Sequence, residues 1–349
     1  MKQGPVTKLT VRAIAAHAGV SIATVSRVLN DQANVAPETR DLVRQAVDQL
    51  RGRQARRRPT RPGAVFLRCP YLLTDYFGLI VSSIAETLDL HGRQLVLNAG
   101  ETAQHASVLP GLPSRPNIAG AIVVLPPEPG ADLIALQAAG FPFVVVDPRE
   151  TVPRDIAAVS AAHFAGARRL TQHLVGLGHR RIGLLAGPDN WLASSGRRAG
   201  HVSALADAGV LPDPALTRTG EPTVRFGYQA ASHLLDRPDR PTALVGFNDK
   251  AASGALAAAA QLGLRVPEDV SIAGFDDIDL AQATRPTLTT VRQPLQEMGR
   301  IAVSLLIRLL DQHRLDALHV ELATELIIRA STGPSPDSPY RPAAPAQRR

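Results

Sequence analysis

The sequence predicts an all-α N-terminal head of the helix-turn-helix type, joined to an α/β core of two doubly wound parallel-sheet lobes. Three observations carry that expectation. Residues 10–30, TVRAIAAHAGVSIATVSRVLN, have the pattern of two short helices around a tight turn. An arginine run follows at Arg51, Arg53, Arg56, Arg57, Arg58 and Arg61. From 64 to 332, short apolar runs alternate with amphipathic stretches of helix length, the pattern of parallel strands covered on both faces by helices.

The organisation follows from composition. A chain of 349 residues is long enough for two or three domains. Residues 1–62 carry 12 Lys and Arg against 4 Asp and Glu, and the remainder 26 against 27. The excess positive charge therefore sits on the N-terminal sixth, as expected of a module for phosphate backbones attached to a nearly neutral body. We divide the chain into a helix-turn-helix DNA-binding domain (1–50), a basic linker (51–63), a two-lobed core (64–332) and a Pro/Ser/Ala-rich tail (333–349) expected to be disordered. Cys69 is the lone cysteine, so no disulfide framework is expected and a small apolar core residue is. No apolar run reaches membrane-spanning length, and MKQGPVTKLT lacks the apolar stretch of a secretory signal. A cytoplasmic protein without membrane partners is the expectation.

In the head, Thr10 is placed to cap the first helix, and Ile14, Ala15 and Ala18 form its inward face. Ala15 is small enough to admit a second helix. Gly19 can take the left-handed turn without strain. Val20, Val25 and Val28 close the core from the other side. Ser21 caps the second helix, whose first turn presents Ile22, Ala23 and Thr24 outward. Arg27 lies one turn on, where an arginine can hydrogen-bond guanine O6 and N7. Ser21, Thr24, Ser26 and Asn30 are candidates for phosphate contacts that fix orientation. A third helix is expected in PETRDLVRQAVDQL, with Pro37 in its first turn and Leu42, Val43, Ala46, Val47 and Leu50 as its apolar stripe. Thr10, Ser21, Ile22, Ala23, Thr24, Ser26, Arg27, Asn30, Arg53, Arg56 and Arg57 are the predicted DNA-binding residues.

In the core, the expected strands are 64–69, 94–99, 121–126, 143–147, 181–187, 243–247, 270–275 and 325–330. Helix-length patterns lie between them, such as 77–91, 161–177, 197–208, 249–262 and 295–312. Ligands bind such folds beyond the carboxyl ends of the strands. Asp147, Asn248, Asp249 and Asp276 lie there, and Arg197 begins a helix after the 181–187 strand. Carboxylates and a forked guanidinium suit a polyhydroxylated ligand, because each makes paired hydrogen bonds. Two alternatives stay open at this stage: Asp249 as a helix cap and Asp147 as the closure of a strand-end turn. Trp191 either lines the cleft or packs on the lobe surface. Asp276, Asp277 and Asp279 have no nearby histidine or cysteine, so no metal is assigned. His173 and His179 are expected to hydrogen-bond at a helix end. No GxSxG, GxxxxGK[ST] or HExxH motif occurs, so no catalytic residues and no cofactor are assigned. A solute-binding protein with an incidental helical head is the alternative reading.

The motifs GVSIATVSRVLN and VAPETRDLV resemble the DNA-binding head of the lactose-repressor (LacI/GalR) family. HLVGLGHRRIGLLAGP, RRAGHVSAL, FNDKAASGAL, VPEDVSIAGFDD, RPTLTTVRQPLQEMG and ELIIRAST resemble that family's later signatures, in order. The resemblance implies a repressor with a core like periplasmic sugar-binding proteins. It implies a homodimer, or a tetramer, on a pseudo-palindromic double-stranded operator, controlled by a small-molecule effector such as a sugar. It implies effector contacts at Asp147, Arg197, Asp249 and Asp276, and an aromatic wall at Phe77. The chain also departs from the family. Residues 51–64 contain no leucine, tyrosine or asparagine, so the usual minor-groove leucine wedge is not expected. Arginines entering a narrow minor groove and a solvated linker are the two alternatives. Pro222 stands near a frequent stacking tryptophan, and Ala162 and His163 where an Asp-Asn pair is frequent. Arg225 and Phe226 are candidates to take over the stacking.

Overall fold

The computed structural model describes residues 11–29, 36, 39–47, 63–105, 107–313, 315 and 317–337. The chain forms two compact units, residues 1–62 and 63–349. In the first, α1 (Val11–Ala18) and α2 (Ile22–Leu29) are joined by a turn, and α3 covers residues 39–47. Gly19 takes φ +66°, where a side chain would be strained. The Val20 amide then donates to Ala15 O at 3.2 Å and closes the turn. Ile14, Ala15, Val25, Val28, Val43, Ala46 and Val47 form the core, with Ala18 and Val20 against it. One expectation fails here: Leu42 is 52% exposed, because the helical turn points it away from the face that Val43 and Val47 bury. Leu50 lies outside the described residues.

The second unit contains a six-stranded sheet and a four-stranded sheet. The larger is built from β1 (Ala64–Cys69), β2 (Leu95–Ala99), β3 (Ile118–Val124), β4 (Phe143–Val146), β5 (Ala157–Ala161) and β11 (His319–Leu322). Its order is β11-β5-β4-β3-β1-β2, and every pairing is parallel. The smaller has β6 (Ile182–Ala186), β7 (Thr217–Thr219), β8 (Ala243–Gly246) and β9 (Ser271–Ala273), in the order β7-β6-β8-β9. Its pairings are parallel as well. A third, antiparallel pair joins β10 (Thr290–Arg292) to β12 (Glu325–Ile327).

Both faces of each main sheet are covered. In β1, Val65, Leu67 and Cys69 face a core that includes Ile84 of α4 (Asp75–Leu90) and Met298 of α11 (Leu295–Leu310). Phe66 faces the opposite core, with Leu133 and Leu136 of α5 (Gly130–Ala138). In the second lobe, α6 (His163–Gly176) and α7 (Leu192–Asp207) cover one face, and α8 (Val224–Leu235) and α9 (Asp249–Gln261) the other. A short α10 (Asp279–Ala283) follows β9. The doubly wound reading is thus observed in both lobes.

Several expected boundaries move. Strands β5, β7, β10 and β11 and helices α5, α8 and α10 are additional to the elements named from the sequence. The late strand does not extend a main sheet but pairs antiparallel with β10 at the lobe junction. The expected tail at 333–349 needs its start moved. The Gly333 amide donates to Ser271 Oγ at 3.0 Å, and the Ser335 amide to Leu177 O at 2.9 Å. His179 supports this anchor, with Nε2 at 3.0 Å from Gly333 O and 3.1 Å from Ser271 Oγ. His173 lies 3.0 Å from Thr332 Oγ1. The two histidines therefore tie the C-terminal segment to the lobe rather than closing a helix end. Residues 338–349 lie outside the described residues. Cys69 is buried, as expected, and burial pushes its thiol up to about 12.

Candidate functional sites

The first site is the exposed face of α2. The Ser21 hydroxyl accepts from the Thr24 amide at 3.1 Å, so the helix starts on a side-chain cap. With Val25 and Val28 turned into the core, the helical period leaves Ser21, Ile22, Ala23, Ser26 and Arg27 exposed and Thr24 half-buried. That is the surface a recognition helix presents to the major groove. Thr10, Asn30, Arg53, Arg56 and Arg57 lie outside the described residues.

The second site lies between the lobes. The carboxyl ends of β1, β3 and β4 and of β6, β8 and β9 border a cleft of about 760 Å³. That volume is in the range of small-molecule sites. Of the predicted effector residues, Phe77, Asp147, Arg197, Asn248 and Asp276 line it. Asp249 and Phe226 are not among the lining residues. Asn248, not Asp249, caps α9, its Oδ1 accepting from the Ala251 amide at 2.9 Å. Asp249 is the first helical residue and points inward. Its carboxylate accepts from Thr290 Oγ1 at 2.5 Å and from the Ile278 amide at 3.0 Å. Phe226 turns toward Gly220 and the α8–α9 core, and Arg225 does not line the cleft either. Trp191 does line it.

A buried polar chain runs across the cleft floor from one lobe to the other. Asp147 follows β4 with φ +51°. It accepts from Tyr76 Oη at 2.8 Å and meets His163 Nε2 at 2.8 Å. Arg197 Nε donates to His163 Nδ1 at 3.4 Å. A guanidinium has no acceptor, so Nδ1 carries the lone pair and Nε2 the proton given to Asp147. Arg197 also donates to Phe247 O at 2.5 Å and lies 3.6 Å from Asp276 Oδ1. Its guanidinium is held between the rings of Phe247 and Phe275, 4.3 and 3.8 Å from their centroids. Gln293 Nε2 donates to Asp276 Oδ1 at 2.6 Å.

The electrostatics of the two lining carboxylates differ. Burial pushes Asp147 up, but His163, hydrogen-bonded to it, the Tyr76 hydroxyl and Arg197 outweigh it and hold the group below the usual 3.8. Asp276 is pushed up to about 6, with burial dominant, Arg197 and Gln293 opposing it and Asp147 adding to it. Burial and the neighbouring Asp276 push Asp249 well above the ordinary value. One lobe thus offers an ionised acceptor, and the other a carboxyl that changes protonation near neutrality.

Sequence reasoning missed Tyr71, Tyr76, Arg149 and Lys250 in the cleft, and the bridging roles of His163 and Gln293. Position beyond a strand end was the available signal for Tyr71 and Arg149. Nothing marked Gln293, and His163 stood out only as a departure from a frequent Asp-Asn pair, because each reaches the site only through a crossover between lobes.

Among the described residues, no group of three His, Cys, Asp or Glu side chains is placed to hold a metal. No helix among them is long and apolar enough to cross a membrane.

Comparisons with known proteins agree with this geometry. Residues 10–51 match the family "Bacterial regulatory proteins, lacI family", and residues 171–332 match a periplasmic binding protein-like domain. The HTH-type transcriptional repressor CytR of Escherichia coli (strain K12) is 33% identical over 334 residues, covering 93% of this chain and 97% of the relative. The regulator MalR of Streptomyces coelicolor is 37% identical over 350 residues, covering 94% and 98%. Among solved structures, the CelR–cellobiose complex has a TM-score of 0.69 at 30% identity, covering 93% of this chain and all of that one. The Lac repressor dimer bound to operator and the anti-inducer ONPF has a TM-score of 0.70 at 29% identity, covering 93% and 99%. The chain belongs to the LacI family of DNA-binding, effector-controlled transcriptional regulators.

Proposed function

We propose that this regulator is a cytoplasmic repressor without enzymatic activity. It binds a pseudo-palindromic operator as a homodimer through α2 and senses a polyhydroxylated metabolite in the interlobe cleft. One observation carries the reading: the exposed face of α2 and a cleft with a lobe-spanning polar floor occur in one chain. A single head reads only a half-site, which is why a dimer is the operating form. Arg27 is the base-reading residue, and Ser21, Thr24 and Ser26 position the helix on phosphates. Asp147, Arg197, Asn248 and Asp276 hold the effector, with Phe77 and Trp191 as aromatic walls. A similar protein, CelR, is seen in complex with cellobiose, and the Lac repressor with the anti-inducer ONPF, which supports a small-molecule effector of this kind.

The test is footprinting of the full-length protein on the region upstream of its own gene, with and without candidate metabolites. A protected, roughly two-fold symmetric site is expected. Arg27→Ala should lower sequence preference by about 1–3 kcal/mol. Binding should weaken steeply with salt through released counterions. Equal affinity for the site and for random duplex, in every metabolite condition, overturns the reading.

A further inference from the structure

Arg149 stands two residues past Asp147, at the carboxyl end of β4. Its carbonyl accepts from the Leu192 amide of the other lobe at 2.7 Å. Its guanidinium lies between two aromatic rings, 5.6 Å from the Tyr71 centroid and 5.2 Å from that of Trp191. Tyr71 and Trp191 belong to different lobes, so the cation sits where the lobes face each other across the cleft. Nη2 donates to Tyr71 Oη. Nε is buried without a hydrogen-bond partner. No ion pair joins this guanidinium to a carboxylate among the described residues.

The other charged groups of the cleft are differently placed. Arg197 has Asp276 at 3.6 Å. Lys250 reaches Thr74 Oγ1 at 3.3 Å and Asp75 at 4.0 Å. Asp147 is held by His163 and Tyr76. Glu101 and Glu221 line the cleft as exposed residues. Arg149 is therefore a partly desolvated cation, one donor of its planar fork engaged by a neutral hydroxyl. Such a fork matches two oxygens of a carboxylate or phosphate, and hydrogen bonds between ionised groups are the stronger kind.

We propose that the effector is an anion: a polyhydroxylated small molecule with a carboxylate or phosphate that docks on the Nη1/Nη2 end of Arg149. The hydroxyl-bearing part lies toward Asp147, Asn248 and Asp276. The inference rests on the cleft being the effector site. It selects sugar acids or sugar phosphates over neutral sugars.

Calorimetric titration of the full-length protein with matched sets tests this. The sets are glucose, gluconate and glucose 6-phosphate; galactose and galacturonate; ribose and ribose 5-phosphate. In at least one set the charged member should bind tenfold or more tighter than its neutral counterpart. The acid and phosphate arms identify which anion is read. In Arg149→Met that preference should vanish, and in Arg149→Lys it should persist in part, with thermal melting confirming that both variants fold. No binding of any charged member, equal binding of neutral and charged members, or a preference that survives in Arg149→Met overturns the proposal. Arg197→Met separates the two readings. If a neutral sugar binds and Arg197→Met abolishes it, the anion inference falls while the cleft remains the effector site. If binding survives both variants, the cleft assignment itself falls.

Discussion

Replacing Asp276 by Asn should stabilise the core, and the gain should depend on pH in a defined way. Asp276 is 6% exposed, and burial raises it from 3.8 to about 6. Between those values the folded chain keeps a proton that the unfolded chain releases. Stability contributed by this group therefore falls as pH rises from about 4 to about 6 and levels off above. A rise of that size corresponds to roughly 3 kcal/mol against the charged form above neutrality. Asn mimics the neutral carboxyl, keeps an oxygen for Gln293, and tolerates the φ of +116° at this position better than most residues. His201 contributes the opposite slope. Burial lowers it from 6.5 to about 4, so the unfolded chain binds its proton first and stability rises with pH across that window. The raw profile mixes these groups with others, and the difference between wild type and variant reports Asp276 together with its effect on the neighbouring Asp249. The assay is urea denaturation followed by the fluorescence of Trp191, the sole tryptophan. Asp276→Asn should be more stable by about 2–3 kcal/mol near pH 8, and the gain should vanish toward about pH 4. No gain near pH 8, or a gain independent of pH, refutes the reasoning.

Three further outcomes follow from neighbouring contacts. His163→Leu removes one hydrogen bond from an ionised carboxylate, a loss of about 1.5–3 kcal/mol. Because Asp147 is held below 3.8, its ionised form stabilises the fold above that pH, so the acid unfolding midpoint of His163→Leu should move upward; an unchanged midpoint refutes the bridge. Arg68, fully buried, pairs with Glu128. Arg68→Met strands that carboxylate and should cost about 3–5 kcal/mol in urea titration, whereas Arg68→Met with Glu128→Leu should recover most of it. At Gly227 an added Cβ would fall inside the van der Waals shell of Ala251 O. Gly227→Ala should lower stability by about 1–3 kcal/mol despite the better helix propensity of alanine, measured as a lower thermal midpoint; an unchanged or higher midpoint refutes it.

The parts legible in the sequence were those that bury apolar side chains in continuous runs. AVFLRC, FVVVD and RIGLLAG each announce a strand covered on both faces. AAVSA of β5 and HVEL of β11 are parallel strands too, but alanine, serine, histidine and glutamate dilute the apolar signal. TRT of β7 is an edge strand of three residues with no apolar side chain. In the cleft, Asp147 and Asp276 were legible because strand ends point at the site, whereas Arg197 does not begin its helix as expected but lies in the second turn of α7, which starts at Leu192. Asp249 was not, because a shift of one residue in the helix start gives the cap to Asn248 and turns its neighbour inward. Phe226 was expected to stack in the cleft, but its direction is set by the turn at Gly220, which has no side chain to fill the space. His163 was visible only as a departure from an Asp-Asn pair, with nothing to say that its ring joins two lobes.

The chain passes between the lobes three times, at 161–163, 292–295 and 322–325. The antiparallel pair of β10 and β12 lies at two of these crossings. His163 belongs to the first crossing and Gln293 to the second. Each is hydrogen-bonded to a lining carboxylate, His163 to Asp147 and Gln293 to Asp276. A ligand that donates hydrogen bonds to those carboxylates competes with the side chains of the crossovers themselves. The lobe angle and the occupancy of the cleft are then linked through shared hydrogen bonds. Such linkage shifts the lobe equilibrium only by the difference in ligand affinity between the two arrangements. On these grounds His163 and Gln293, neither of which lines the cleft, should alter the coupling between effector and operator more than they alter effector affinity. Residues that only line the walls, such as Phe77, should do the reverse.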